Sequence, residues 1–134
     1  MIIPKGTIVA VADGEILNLF RNSGDEATPQ LSALSDAPVA SGNAGAGGRH
    51  ASSASNPDDS QQAEDGFAAG IAAMLNSQVL DGKIDALIVV AAPRTLGELR
   101  KHWHKALSAV LIGEIAKDLT GHSVADVERI LAAA

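Results

Sequence analysis

The chain has no cysteine and no tyrosine, and its 134 residues hold only one tryptophan and two phenylalanines. Missing thiols exclude disulfides, thiol catalysis and cysteine metal sites. The three rings, Phe20, Phe67 and Trp103, leave little for base stacking or sugar platforms. Positive charge is also scarce: Lys and Arg total 10 against 16 Asp and Glu, a formal net charge of −6. A generic nucleic-acid binder carries a basic excess, so any such contact here must be local. No apolar run approaches the roughly 18 residues of a membrane-spanning helix. The opening "MIIPKGTIVAVADGE" has an apolar run but no basic leader and no small-residue cleavage site before Asp13. It reads as a strand rather than a signal peptide, and a cytoplasmic protein without membrane insertion is expected.

What the chain does have is a mixed sheet pattern. Residues 7–12, "TIVAVA", are β-branched and continuous, as in a strand buried on both faces. Asp13-Gly14 between apolar runs predicts a tight hairpin with positive φ at both central residues. "EILNLFRN", 15–22, alternates, and 30–36 reads as a third strand with Pro29 before it. A helix is expected after Pro57, capped by Asp58, Asp59 or Ser60, with Phe67, Ile71, Met74 and Leu75 at helical spacing. "DGK" at 81–83 ends it. "ALIVVAAP", 86–93, is the clearest buried strand. Thr95 with Glu98 three residues on reads as a capping box for a further helix. Leu96, Leu99, Trp103 and Leu107 fall on one stripe. Residues 109–117 fit either a continued helix or a strand, with Val110-Leu111-Ile112 favouring a strand. Ser123 caps a last helix through Val124, Val127, Ile130 and Leu131.

The fold class is therefore α/β in a single domain, 1–134. It is a ribonuclease H-like mixed sheet, a three-stranded antiparallel meander followed by alternating α and β, with helices packed against it. Between the third strand and the first helix lies a low-complexity stretch. Ala, Gly, Ser and Pro fill 16 of the 21 positions from 37 to 57. Such a segment buries too little surface to offset its ordering entropy, and a flexible internal loop is expected.

Candidate chemistry is sparse. A two-metal nuclease needs several converging carboxylates, and this pattern offers only Asp13 and Glu64. A hairpin role for Asp13 and a solvated helix face for Glu64 account for both. His102 and His104, two apart on a helix, would point about 200° from each other and cannot share a metal. No zinc motif, nucleophile elbow or phosphate loop is present, so no catalytic residue, metal or cofactor is assigned. Arg94, Arg100, Lys101 and Lys105 form a basic cluster that could meet RNA. Trp103, on the apolar stripe, reads as core within it.

Four segments carry a resemblance: "VAVADGEILNLFRN" at 9–22, "GFAAGIAAML" at 66–75, "DALIVVAAPRTLGELRK" at 85–101 and "EIAKDLTGHSVADVERIL" at 114–131. Together they resemble the bacterial family called "protein required for attachment to host cells". That family is in turn similar to the middle domain of archaeal and eukaryotic peptide-chain release factors. The resemblance implies a ribonuclease H-like core and a loop, before the first helix, that in release factors bears Gly-Gly-Gln and supports hydrolysis of peptidyl-tRNA. Here Gly47-Gly48 is followed by Arg49-His50, so the catalytic role does not carry over. The expectation is a non-enzymatic domain that meets the ribosome, tRNA or another partner through Gly47, Gly48, Arg49 and His50, aided by the basic cluster. It would affect host attachment indirectly. A degenerate peptidyl-tRNA hydrolase and a direct surface adhesion factor are the alternatives, and the oligomeric state is left open.

Overall fold

The computed structural model describes residues 2–26, 28–34 and 57–134, with only the backbone for 57–60. The predicted loop residues Gly47, Gly48, Arg49 and His50 lie outside the described residues. Among the described residues five strands form one sheet: β1 (Ile8–Ala12), β2 (Leu17–Asn22), β3 (Leu31–Ala33), β4 (Leu87–Ala91) and β5 (Leu111–Ala116). Four described helices accompany them: α1 (Pro57–Leu80), α2 (Pro93–Arg100), α3 (Lys105–Val110) and α4 (Val124–Ala133). The sheet order is β3-β2-β1-β4-β5, and only β2 runs against the others. This is the mixed, ribonuclease H-like sheet that the sequence predicts.

β1 and β4 occupy the centre and are buried along their whole length. Alternation along them feeds two cores. Ile8, Ala10, Ala12, Leu87, Val89 and Ala91 face α1, α2 and α3. Val9, Val11, Ile88 and Val90 face α4 and the N-terminal segment. Small residues on α1, Ala68 and Ala72, let that helix lie close to the first face. Among the described residues no helix is long and apolar enough to cross a membrane.

Several local expectations change. The β1–β2 connection is the loop 13–16, closed by Asp13 N–H donating to Ile16 O at 2.9 Å. Neither Asp13 nor Gly14 has positive φ, which among the described residues occurs only at Gly6 and Gly82. The Asp13 carboxylate shapes the loop instead, accepting the N–H groups of Glu15 (2.7 Å) and Ile16 (2.6 Å). Gly14 lies under Glu64: a Cβ there would sit 2.7 Å from Glu64 Cγ, and that side chain would have to swing aside. α1 begins at Pro57, so Asp58, Asp59 and Ser60 lie inside its first turn rather than before it. Its end matches the sequence. Gly82, at φ +79°, lets Gly82 N–H reach Val79 O and Lys83 N–H reach Gln78 O, the paired bonds of a Schellman stop.

The predicted capping box at Thr95 is replaced by an earlier start. α2 opens at Pro93, whose fixed φ suits a first helical position, and Ala92 gives no side-chain cap. The expected single stripe through Leu107 is broken between α2 and α3. Asn76 on α1 holds the break: its amide donates to His102 O (2.9 Å) and accepts His104 N–H (2.9 Å). His104 Nδ1 then caps α3 by accepting Ala106 N–H at 2.9 Å. His102 and His104 thus sit in a turn, not on a helix. The ambiguous 109–117 run resolves as the end of α3 followed by β5, and Ser123 caps α4 by accepting Asp126 N–H.

Candidate functional site at the carboxyl end of the parallel strands

β1, β4 and β5 run parallel, so their carboxyl ends share one end of the sheet. In open α/β sheets that end is where ligands and partners meet the fold. The β1–β2 loop, the start of α2 and the β5–α4 connection all gather there. β3 also runs toward this end, where Leu34 N–H donates to Leu19 O at 2.9 Å. α1 passes it at Glu64, packed over Gly14. Residues 57–63 then continue for about 10 Å beyond the sheet at 1.5 Å per residue. Both described flanks of the 35–56 segment therefore stand at this end.

The best-defined geometry here is a hydroxyl between two carboxylates. Thr120 Oγ1 lies 2.8 Å from Asp13 Oδ2 and 2.8 Å from Asp118 Oδ1. Thr120 N–H also donates to Asp118 Oδ1 at 3.2 Å. A hydroxyl has one proton to give, so the two carboxylates share it. Partial burial pushes the Asp13 carboxyl up, but the Glu15 and Ile16 N–H bonds and the Thr120 hydroxyl outweigh it and hold it below 3.8. Glu64 packs over Gly14, next to Asp13 in the chain. Yet Asp13 spends its oxygens on these donors, and among the described residues no three His, Asp or Glu side chains converge to hold a metal.

The basic cluster divides in two. Arg94, exposed in the first turn of α2, stands at the carboxyl end. Lys101 and Lys105 lie past the far end of α2, and Arg100 reaches Glu114, level with Val89 in mid-sheet. Arg100 is engaged by Glu114, with its Nη2 at 3.0 Å from Oε1, and that hydrogen bond raises its pKa. Lys101 pairs with Glu98 at 3.0 Å. Glu98 also meets His102 Nε2 at 3.2 Å, and the Lys101 bond chiefly holds its carboxyl low. Lys105 opens α3 and is exposed. Trp103 packs against the α1-side core, with Nε1 buried and without a partner among the described residues, in keeping with the core reading.

These contacts also explain the segments that carry the resemblance. The "DG" of 13–14 and the "KDLT" of 117–120 meet through Asp13 and Thr120, 107 residues apart. "LGELR" meets "EIAKDLT" through Arg100 and Glu114. Sequence reasoning missed Thr120 and Asn76, because no local spacing announces a partner so far away.

The sheet order, the single antiparallel strand β2 and the helices on both faces define a ribonuclease H-like α/β domain. Within that class the chain belongs to the bacterial archaeo-eukaryotic release factor family 12, whose model matches residues 6–131. The release-factor side of the expected kinship is the side that this match supports. No curated protein matches the chain.

Proposed function

We propose that this domain acts on the translation machinery as a non-enzymatic, cytoplasmic binding module for the ribosome or a tRNA. The observation that carries the reading is membership of a release-factor family across residues 6–131. Gly47, Gly48, Arg49 and His50 are its proposed contact, since an arginine among glycines reaches phosphate without steric hindrance. Arg94 is the member of the basic cluster best placed to assist. Arg100 and Lys101 already answer carboxylates of their own chain. The carboxyl end also bears Asp13, Glu15, Glu64 and Asp118, so RNA contact there has to be local rather than a broad basic face. Any effect on attachment to a host is, in this reading, indirect.

Co-sedimentation with ribosomes tests it. The wild-type chain should pellet with ribosomes at low salt. Two phosphate contacts would weaken that by about fivefold to tenfold between 50 and 200 mM salt. Arg49→Ala with His50→Ala should abolish most of the binding. Absence of binding in every sample sinks the reading. The position after Gly47-Gly48 frames a second reading, peptidyl-tRNA hydrolysis. Release of labelled peptide by wild type, enhanced in Arg49→Gln, would replace the binding module with an enzyme.

A further inference from the structure

Among the described residues three polar side chains are buried: Thr7, Asn22 and Thr95. Thr7 Oγ1 donates to Pro4 O at 2.6 Å, and the Asn22 amide is bonded at both its nitrogen and its oxygen. Thr95, only 8% exposed, has no hydrogen-bond partner. A buried hydroxyl left unmet costs stability, so its retention calls for a reason. The oxygen is not sealed inside. Among the described residues the side-chain polar atom that is both unpaired and closed off from solvent is Trp103 Nε1, not Thr95 Oγ1.

The position of Thr95 says where the hydroxyl faces. α2 starts at Pro93, so Thr95 is its third residue rather than its cap. Side chains on a helix lean toward its start, and the third position is the one from which they reach back to the first turn. That start is itself unanswered. Ala92 supplies no side-chain cap, and the first turn holds no acid. The Leu96 N–H reaches back to Ala92 O at 2.8 Å, while the N–H groups of Arg94 and Thr95 have no acceptor among the described residues. The Arg94 guanidinium, exposed, has no carboxylate partner there either. Two adjacent residues at the carboxyl end of a central strand thus carry four kinds of donor and no acceptor for them.

We propose that the start of α2 is a seat for one phosphate group. The N–H groups of Arg94 and Thr95 and the Thr95 hydroxyl take its oxygens, and the Arg94 guanidinium answers its charge. The phosphate comes from an RNA backbone or is free. RNA as its source rests on the ribosome or tRNA reading, to which the seat adds a contact independent of residues 47–50. The surrounding charges limit the seat. Asp13, Glu15, Glu64 and Asp118 stand at the same end and repel anions, while Glu98, one turn further along α2, is met by Lys101 and His102. The seat therefore takes a single phosphate rather than a tract of backbone.

Amide resonances of the whole chain are followed while two probes are added separately, an RNA hairpin without terminal phosphates and inorganic phosphate. The amides of Arg94, Thr95 and Leu96 should move and saturate by millimolar concentration with at least one of them. Movement with the hairpin assigns the seat to a backbone phosphate, and movement with inorganic phosphate alone assigns it to a free one. Arg94→Ala should weaken binding about tenfold and Thr95→Val about threefold. Thr95→Val carries a second readout. Its hydroxyl has no partner within the fold, so the unfolding midpoint should stay or rise while binding falls. Neither probe moving these amides overturns the proposal. So does binding that survives both substitutions unchanged, or a midpoint lowered by Thr95→Val. Shifts at 94–96 without ribosome co-sedimentation would remove the ribosome and leave the seat.

Discussion

The two faces of the sheet are covered by different means. On the α1 side, β1 and β4 set Ala10, Ala12 and Ala91 among Ile8, Leu87 and Val89, and α1 answers with Ala68 and Ala72. Helix and sheet approach closely, and three helices share the cover. On the α4 side, Val9, Val11, Phe20, Ile88 and Val90 reach up to a single short helix and to Ile3 of the N-terminal segment. The same strands thus pair a face half made of alanines with a thick cover, and a face without alanine with a thin one. Side-chain volume on each face sets how near the next layer lies, because interiors are filled to crystal-like density.

Overfilling the close face should have the largest effect. Ala72→Leu is expected to destabilise by about 3 kcal/mol, measured by denaturant unfolding. Val127→Leu, on the α4 face, should lose less than about 1.5 kcal/mol. Equal losses would break the contrast.

The thin face depends next on a polar tie. Asn22, fully buried, donates to Ile3 O at 2.9 Å and accepts Gly24 N–H at 3.0 Å and Gln30 N–H at 2.9 Å. Asn22→Ala should cost about 2 kcal/mol by stranding these groups, and should speed amide exchange around residues 7–9. A stability change with no local change in exchange would show that Ile3 is held by packing alone.

The smallest effect concerns the carboxyl end of the sheet. Asp13 is lowered below its ordinary 3.8, so its ionised form stabilises the fold. That contribution is complete above the unfolded value and fades as pH falls through the lower folded one. Wild type should exceed Asp13→Asn by about 1 kcal/mol at neutral pH and converge with it in acid. A constant gap across pH would remove the charge from the account.

The sequence pattern carries the architecture because burial writes itself into periodicity. β1 and β4 are unbroken apolar runs, and the alternation in β2 and the last helix is equally plain. Local chemistry was less legible. The Asp13-Gly14 pair looked like a turn requiring positive φ. What lies close to Gly14 is instead the Glu64 side chain, a contact 50 positions away. The break between α2 and α3 contains neither proline nor glycine, and Asn76, far upstream, enforces it. At the candidate site, Asp13 was visible as a loop residue, while its partner Thr120 was not.

That threonine has a further consequence. A rotor with one hydrogen and two acceptors must leave one of them waiting, so the bridge from the β1–β2 loop to the β5–α4 connection is intermittent by construction. Asp118 keeps the Thr120 N–H whichever way the hydroxyl turns, so the hydroxyl can serve Asp13 without leaving Asp118 empty.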